Sequence, residues 1–256
     1  MGIVKTIHAI LTPAELPALR QSDLGDSLCV VFDILRATTT FVTALHHGAA
    51  RVIPVNDIAE AVAWRQKEPL VLLAGEREGA RISAALAGGI DFDLGNSPRE
   101  FGPETVSGRT IVSTTTNGTR ALQACSAAAT VLAGSFLNLA ATARFIQRHP
   151  SDHIILVCAG TGSFAALEDV LAAGALTQRL FAASGEYALA DSAAIAWRTF
   201  LQVESTLAAV LPTTDNGRRL MAIPELREDV AFCGQTDVYP LVAGQAADGL
   251  RRLEIP

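Results

Sequence analysis

Short runs of apolar residues, each ending in polar ones, recur along the chain and predict buried β-strands. The clearest are residues 27–32 (SLCVVF), 69–74 (PLVLLA), 130–134 (TVLAG) and 153–159 (HIILVCA). Their apolar positions are continuous rather than alternating, which is typical of strands covered on both faces, as in parallel sheets. Residues 1–12 predict a further strand at the start of the chain.

Segments compatible with α-helix separate these strands. They cover residues 41–47, 58–67, 120–129, 137–147 and 165–180. Alternating strands and helices are typical of right-handed βαβ units, which bring the loops that follow the strands to one edge of a sheet. We therefore predict an α/β fold, a three-layer α/β/α arrangement whose sheet is largely parallel or mixed. We expect one domain over residues 1–256, with two lobes of about 1–125 and 126–256 around a cleft.

The last quarter of the chain has a weaker pattern. Residues 187–209 predict a helix, and residues 212–217 (PTTDNG) predict a turn. Short surface helices are expected at residues 218–220 and 225–229. Residues 238–242 are expected to close the chain near the edge of the fold.

The composition supports a protein with a large buried core. Of 256 residues, 50% are hydrophobic and 18% are charged. A net charge of −6 argues against a nucleic-acid-binding surface, which needs a clustered basic patch. No 18-residue apolar run appears, and the N-terminus lacks a basic region followed by an apolar one, so we expect a cytoplasmic protein without a membrane span. Its alanine-rich, weakly charged helices make a homodimer reasonable.

The four cysteines are scattered along the chain and share no C-x-x-C spacing. Cys29 and Cys158 lie inside apolar strand runs, where a thiol acts as a small core side chain. The pattern therefore favours neither disulfides nor a zinc site.

The stretch 109–119 (RTIVSTTTNGT) concentrates polar groups at the end of a predicted strand. Thr115, Thr116, Asn117 and Gly118 lie between this strand and an alanine-rich helical segment. Such a turn presents hydroxyls, backbone N–H groups and a helix N-terminus at one place, which suits an anion and phosphate in particular. The alternative is structural, because Thr and Asn also cap helices without binding any ligand.

Acidic side chains also collect at the predicted strand ends. They are Asp33, Glu76, Asp91, Asp93, Glu168 and Asp169. Carboxylates with neutral oxygen donors, and without paired His or Cys, suit a hard divalent ion, magnesium before zinc. Arg36 and Arg77 could hold a phosphate or sulfonate through paired hydrogen bonds. Together these are the components of phosphoryl transfer to water.

Each of these groups also has a structural interpretation. Asp33 could cap a helix, and Glu76 and Arg77 could form a surface ion pair. Asp91 and Asp93 could serve as turn formers. No G-x-S-x-G, Walker or G-x-G-x-x-G motif follows a predicted strand, which argues against an α/β-hydrolase, a P-loop NTPase and a dinucleotide enzyme.

Four motifs together resemble the 2-phosphosulfolactate phosphatase family. They are VFDILRAT at 31–38, GER at 75–77, FDLGNSP at 92–98 and TTTNGT at 114–119, and their order and spacing also match. The resemblance covers roughly residues 3–245. It implies a three-layer α/β/α fold and a Mg²⁺-dependent phosphatase that hydrolyses (R)-2-phospho-3-sulfolactate to 3-sulfolactate and phosphate. In archaea that make coenzyme M, this reaction is a biosynthetic step.

The resemblance and the residue chemistry together assign expected roles. The expected catalytic residues are Asp33, Arg36, Glu76 and Arg77, and the expected substrate-binding residues are Thr38, Asn96, Ser97, Thr115, Thr116, Asn117, Gly118 and Thr161. The expected Mg²⁺ ligands are Asp33, Glu76 and Asp93. We favour direct attack by water over an acyl-phosphate on Asp33, because no separate leaving-group acid is evident beside it. The chain departs from the family pattern at Asn216, where many relatives are expected to carry histidine.

Two other functions would use the same residues. A non-catalytic binder of phosphorylated or sulfonated metabolites would employ the same arginines and N–H groups without activating water. A structural α/β subunit would turn its polar loops toward a partner chain. We favour the phosphatase, acting on a small and highly anionic phosphate ester.

Overall fold

One mixed β-sheet contains every strand in the part of the chain that the structure describes. The structure is a computed structural model and describes residues 4–184 and 187–255. The strands are β1 (Lys5–Ile10), β2 (Ser27–Phe32), β3 (Arg51–Pro54), β4 (Leu72–Arg77), β5 (Ala80–Arg81), β6 (Thr110–Thr114), β7 (Thr130–Gly134), β8 (His153–Cys158), β9 (Tyr187–Leu189), β10 (Val242–Ala246) and β11 (Gly249–Leu253). Strands β2 and β7 have the predicted bounds.

Helices connect the strands and cover the sheet. They are α1 (Leu16–Gln21), α2 (Ala37–His46), α3 (Ile58–Lys67), α4 (Pro103–Val106), α5 (Gly118–Ala124), α6 (Leu139–Arg148), α7 (Leu167–Ser184), α8 (Asp191–Leu201), α9 (Leu207–Val210), α10 (Asp215–Met221) and α11 (Arg227–Cys233). Helix α3 has the predicted bounds. Its N-cap is Asp57, whose carboxylate accepts a hydrogen bond from the N–H of Glu60.

The sheet consists of two parallel half-sheets joined by a hairpin. The strand order is β5-β4-β6-β3-β11-β10-β7-β2-β8-β1-β9. Strands β4, β6 and β3 are mutually parallel, and so are β7, β2, β8, β1 and β9. The hairpin of β10 and β11 is antiparallel to β7 on one side and to β3 on the other. The two half-sheets therefore run in opposite directions.

The position of this hairpin corrects the prediction for the end of the chain. Residues 238–242 were expected near the edge of the fold, but β10 and β11 lie in the middle of the sheet. Leu250 pairs with Val52 of β3. Gly249 makes this approach possible: its φ is +131°, and a Cβ there would lie 2.7 Å from the carbonyl oxygen of Val52. Local sequence patterns do not reveal which strand edges such a hairpin will join.

Side chains of β2 alternate between two core layers. Leu28, Val30 and Phe32 pack with α6, α7 and α8, whereas Cys29 and Val31 pack with α1, α2 and α5. The strand is thus covered on both faces, as its continuous apolar run predicts. The predicted three-layer α/β/α fold is confirmed.

Helix α2 lies at the seam between the half-sheets. It packs against β7 on one side and β3 on the other, and against both hairpin strands. The same core cluster includes Val31 of β2 and Ile111 of β6. Loops that lead into α2 are therefore placed where the two half-sheets meet.

Sheet twist explains why strand ends from both half-sheets can meet although the half-sheets run in opposite directions. From β2 to β6 there are five steps, through β7, β10, β11 and β3. Neighbouring strands rotate by about 20–25°, so five steps turn the strand direction by on the order of 100°. In the structure, a Cβ on Gly118, just after β6, would lie 2.8 Å from the Asp33 carboxylate, just after β2.

Two predictions for the last quarter of the chain are wrong. Residues 187–189 form the edge strand β9 rather than the start of a helix, because they pair in parallel with β1. Residues 215–217, predicted as part of a turn, form the start of α10, which also contains the helix predicted at 218–220. The hydroxyl of Thr214 accepts a hydrogen bond from the N–H of Gly217 and thereby caps this helix.

The four cysteines are free and buried. Cys29 and Cys158 belong to the two main core clusters, which confirms their prediction as small core side chains. Among the described helices, none combines the length and the apolar sequence needed to span a bilayer.

Candidate active site

A cavity of about 160 Å³ lies where the loops after β2, β4, β6 and β8 meet α10. Residues predicted for the site that line it are Asp33, Arg36, Glu76, Asn96, Thr115, Thr116, Asn117 and Thr161. They come from sequence positions more than 120 residues apart, as a site at the carboxyl ends of several strands requires. The polar loops therefore converge on one place.

Asp33 lies at the base of this cavity, directly after β2, and is 8% exposed. One of its carboxylate oxygens accepts a hydrogen bond from the N–H of Ala37, at the start of α2, at 3.1 Å. The helix-capping interpretation is therefore partly realised. Thr38 does not line the cavity, because its hydroxyl is hydrogen-bonded to the backbone of Asp33 at 2.9 and 3.1 Å. Thr38 holds the loop that places the carboxylate.

Burial raises the pKa of Asp33 to about 6. The nearby carboxylates of Glu76 and Glu168 contribute to this rise, whereas the N–H groups of Ala37 and Gly118 oppose it by stabilising the charged form. A carboxyl group whose pKa lies close to neutrality can accept and release a proton under physiological conditions.

Two further buried acids lie behind Asp33, at the start of α7. Asp169 accepts hydrogen bonds from the N–H groups of Ile34, at 2.8 Å, and Gly160, at 2.9 Å, and so ties the loop after β2 to the loop after β8. Burial and the charges of Asp33 and Glu168 raise the pKa of Asp169 well above its usual range. One oxygen of Glu168 has no hydrogen-bond partner and is buried.

The turn between β6 and α5 presents hydroxyl and amide groups to the cavity. Asn117 precedes the first residue of α5, but its side chain accepts no hydrogen bond from the helix, and its buried Oδ1 has no partner. The purely structural capping alternative for Asn117 is therefore not realised. Glu76 accepts hydrogen bonds from the hydroxyl of Thr116 at 3.1 Å and from its N–H at 3.3 Å. These bonds link the end of β4 to this turn.

Arg77 and Asp93 were expected in the site, and the structure does not bring them to the cavity. Arg77 donates to the carbonyl oxygen of Thr114 at 3.3 Å and to its hydroxyl at 3.1 Å. It follows Glu76 on β4, and successive side chains of a strand point to opposite faces. Asp93 forms an ion pair with Arg65 and accepts a hydrogen bond from the N–H of Leu73 at 2.8 Å.

Arg36 is held by an acid that sequence reasoning missed. Asp229, on α11, is fully buried and accepts hydrogen bonds from Arg36, Ser97 and Arg99, each at 2.7 Å. Ser97, predicted to bind substrate, therefore binds this carboxylate instead of lining the cavity. The segment 225–229 was predicted as a surface helix. The apolar residues that follow Asp229 in α11 were the only local signal of burial.

Helix α10 contributes two more residues that were not predicted for the site. Arg219 lines the cavity, and its guanidinium donates to the side-chain oxygen of Asn216 at 3.0 Å. Asn216 in turn donates to Thr161 at 2.8 Å and to Glu168 at 2.6 Å. Arg219 lies in the helix predicted at 218–220, but that helix was expected at the surface, so the local pattern did not place Arg219 in the site.

The oxygen atoms around the cavity fit a hard divalent cation. Buried oxygens without a hydrogen-bond partner belong to Asn96, Asn117 and Glu168, and the carboxylates of Asp33 and Glu76 line the cavity. Within the described residues, no three His, Cys, Asp or Glu side chains form a closed metal cage. Mg²⁺ does not need one, because it keeps several waters and is bound through one or two carboxylates and substrate phosphate.

Comparison with known proteins identifies the family. The family model described as 2-phosphosulpholactate phosphatase matches residues 11–247. A protein of Thermotoga petrophila named "Probable 2-phosphosulfolactate phosphatase" is 41% identical over 213 residues, which cover 83% of this chain and 86% of the relative. Relatives with the same name from Caldanaerobacter subterraneus and Synechococcus sp. RCC307 are 37% and 35% identical and cover 88% and 94% of this chain, and 90% and 97% of their own lengths. The chain belongs to the 2-phosphosulfolactate phosphatase family.

Proposed function

We propose that this protein is a phosphoric monoester hydrolase that converts (R)-2-phospho-3-sulfolactate to 3-sulfolactate and inorganic phosphate. The names of its relatives support this substrate. The observation that carries the proposal is the convergence of Asp33, Glu76, Thr116 and Asn117 on one small polar cavity. A cavity of about 160 Å³ suits a small, compact ester rather than a nucleotide or a polymer.

The substrate's phosphoryl group binds beside Asp33, against the turn between β6 and α5. There the backbone N–H groups that follow Gly118 in the first turn of α5 donate hydrogen bonds to the phosphoryl oxygens. Glu76 holds this turn in place through the two hydrogen bonds that it accepts from Thr116. Fixed donors of this kind stabilise the charge of the transition state more than mobile water does, because they need no reorganisation.

Asp33 accepts a proton from the attacking water. The water oxygen bonds to phosphorus, and the bond between phosphorus and the ester oxygen breaks. The ester oxygen takes a proton from solvent, since exposed residues such as Thr116 and Gly162 border the cavity. Asp33 then returns its proton to solvent.

We further propose that the enzyme depends on Mg²⁺. The residues that would hold the ion are Asp33 and Glu76, with the unpartnered amide oxygen of Asn117. When bound, Mg²⁺ would neutralise charge on the phosphoryl oxygens and make water easier to deprotonate. The unpartnered oxygens of Asn96 and Asn117, which line the cavity, support this part of the proposal. The four free thiols suit a reducing compartment, so we place the reaction in the cytoplasm.

A phosphate-release assay tests the proposal. The purified protein should release phosphate from (R)-2-phospho-3-sulfolactate with Mg²⁺ present, lose this activity in EDTA and regain it when Mg²⁺ is restored. Activity that survives EDTA would show that the Mg²⁺ proposal is wrong. Binding of the ester without phosphate release would favour the non-catalytic binder. Acid quenching during turnover should trap no phosphate on the protein, and a phosphate trapped on Asp33 would contradict direct attack by water.

A further inference from the structure

The charged side chains that line the cavity include more acids than free cations. The acids are Asp33, Glu76 and Glu78, and the cations are Arg36 and Arg219. The buried ion pair with Asp229 at 2.7 Å neutralises Arg36. Among the described residues that line the cavity, Arg219 is therefore the cation without a carboxylate partner.

Arg219 is also held in place without being neutralised. Its recorded hydrogen bond is to the side-chain oxygen of Asn216, at 3.0 Å. Asn216 is buried and is anchored by its own bonds to Thr161 and to the buried Glu168. This chain of bonds fixes the base of α10 against the loop after β8. The guanidinium keeps its charge and most of its N–H donors for a ligand.

A substrate with more than one anionic group needs a second cation. In the proposed function, the phosphoryl group occupies the side of the cavity formed by Asp33 and the turn before α5. Asp33 and Glu76 line the cavity there, so a further carboxylate or sulfonate would be repelled from that side. Arg219 comes from α10, a separate element, and offers the planar fork that suits such an oxyanion.

We infer that Arg219 is the specificity-determining residue of the site and that it binds the carboxylate or sulfonate at the non-phosphorylated end of the substrate. This inference rests on the proposed function. It assigns to α10 the recognition that the sequence led us to expect from Arg77, whose guanidinium is occupied by Thr114. Arg219 selects polyanionic esters, while the groups around Asp33 act on any phosphate monoester that reaches them.

The test compares Arg219→Gln with Arg218→Gln on four esters. Arg218 is the matched control, because it is the neighbouring arginine, pairs with Asp215 and does not line the cavity. The esters are 2-phospho-3-sulfolactate, 2-phospholactate, which lacks the sulfonate, 2-(phosphonooxy)ethanesulfonate, which lacks the carboxylate, and isopropyl phosphate, which lacks both. Steady-state kinetics with Mg²⁺ give kcat and KM for each ester and each protein.

Arg219→Gln should lower kcat/KM for 2-phospho-3-sulfolactate roughly tenfold to hundredfold, mainly through KM, the loss expected for a charge-assisted hydrogen-bonded contact. It should change isopropyl phosphate hydrolysis less than about twofold. The ester for which the loss disappears identifies the recognised group: 2-phospholactate if Arg219 binds the sulfonate, 2-(phosphonooxy)ethanesulfonate if it binds the carboxylate. Arg218→Gln should behave as the unmodified protein with all four esters.

Equal losses on all four esters, or equal losses in both variants, would overturn the inference and leave the proposed function intact. Calorimetric titration with 3-sulfolactate tests whether the inference can hold when the proposed hydrolase function fails. If the protein hydrolyses none of the esters but binds 3-sulfolactate in a way that Arg219→Gln weakens tenfold or more, the inference stands and the hydrolase proposal fails. If the unmodified protein neither hydrolyses the esters nor binds 3-sulfolactate, both are wrong.

Discussion

At the scale of single residues, Asp33 combines two opposing requirements. The residue is 8% exposed, and both burial and the neighbouring carboxylates disfavour the charged form of its carboxyl group. The same charge is what the proposed chemistry needs. The neutral form of Asp33 favours the stability of the fold, whereas the charged form is needed for activity. Substitution by asparagine, a neutral isostere, can separate these two effects.

Asp33→Asn should therefore abolish most activity and stabilise the fold above neutral pH. The folded-state pKa of about 6 lies above the usual 3.8, so the folded protein binds this proton more tightly than the unfolded one. The resulting stability is present below about pH 4 and is lost as the pH rises through 6. At pH 8 in EDTA, the variant should gain on the order of 3 kcal/mol at most, and its turnover should fall by about 10²–10⁴-fold.

Thermal unfolding from pH 4 to pH 8 in EDTA, together with phosphate release in Mg²⁺, checks both parts. Asp26→Asn is the control, because Asp26 is exposed and has no recorded hydrogen bond through its side chain. It should change neither property. A destabilised Asp33→Asn protein at pH 8, or one with near-native turnover, would contradict this account of the site.

Residue identity alone could predict part of the site and not the rest. Asp33, Thr116 and Asn117 lie directly after apolar strand runs, and the topology brings such positions together. Arg77 is adjacent to Glu76 in sequence, yet strand alternation turns the two side chains apart. Asp229 and Arg219 reach the site on helices near the end of the chain, so only tertiary packing places them.

At the scale of elements, the junction of β6 and α5 packs tightly against the loop after β2. A Cβ on Gly118 would lie 2.8 Å from both the Asp33 carboxylate and the Cβ of Ala37. Real Cβ atoms do not approach other atoms so closely, so α5, α2 and the loop after β2 fit together only with glycine at this position. Because Gly118 has no side chain, the turn before α5 can lie this close to the loop after β2.

Gly118→Ala should therefore lower kcat/KM by roughly a hundredfold, because α5 must move away from Asp33 and small displacements in a site are costly. Its stability should change less, by about 1–3 kcal/mol for overpacking, offset by about 1 kcal/mol from the better helix propensity of alanine. Steady-state kinetics and urea unfolding measure the two effects. Gly25→Ala is the control, since the contact that its Cβ would make is at 3.4 Å. Full activity of Gly118→Ala would show that this packing does not position Asp33.

Elements whose identity depends on local pattern were predicted well, and those that depend on distant partners were not. Residues 27–32 and 130–134 are strands with the predicted bounds, because their apolar runs suit burial in any parallel sheet. Residues 187–189 form a strand only because β1 offers a free edge. The secondary-structure propensities of residues 187–189 do not reveal that the edge of β1 is available for pairing.

At the scale of the whole molecule, each face of the sheet carries its own hydrophobic core, and each core contains two of the four cysteines. Cys29 and Cys125 lie in the core cluster on one face, and Cys158 and Cys233 lie in the cluster on the other. Both faces share the strands between them. The reactivity of the four thiols therefore shows whether the cores on both faces of the sheet are intact.

The four thiols should react with a water-soluble disulfide reagent only as fast as the chain unfolds globally. All four are buried, so local fraying of exposed helices does not uncover them. Reaction rates measured over a series of urea concentrations should rise in parallel for both pairs. Ser126→Cys supplies an exposed thiol that should react at once. Rapid native-state reaction of Cys158 and Cys233 alone would indicate that the layer of α6, α7 and α8 opens independently.

The central position of β10 and β11 determines when the sheet can be completed during synthesis. These strands occupy residues 242–253, so they emerge from the ribosome after every other part of the sheet. Until then, β3 and β7 each present an unpaired edge, the kind of surface that invites association between chains. A nascent chain can form each parallel half-sheet before the hairpin arrives, so joining the two half-sheets is a late step of folding.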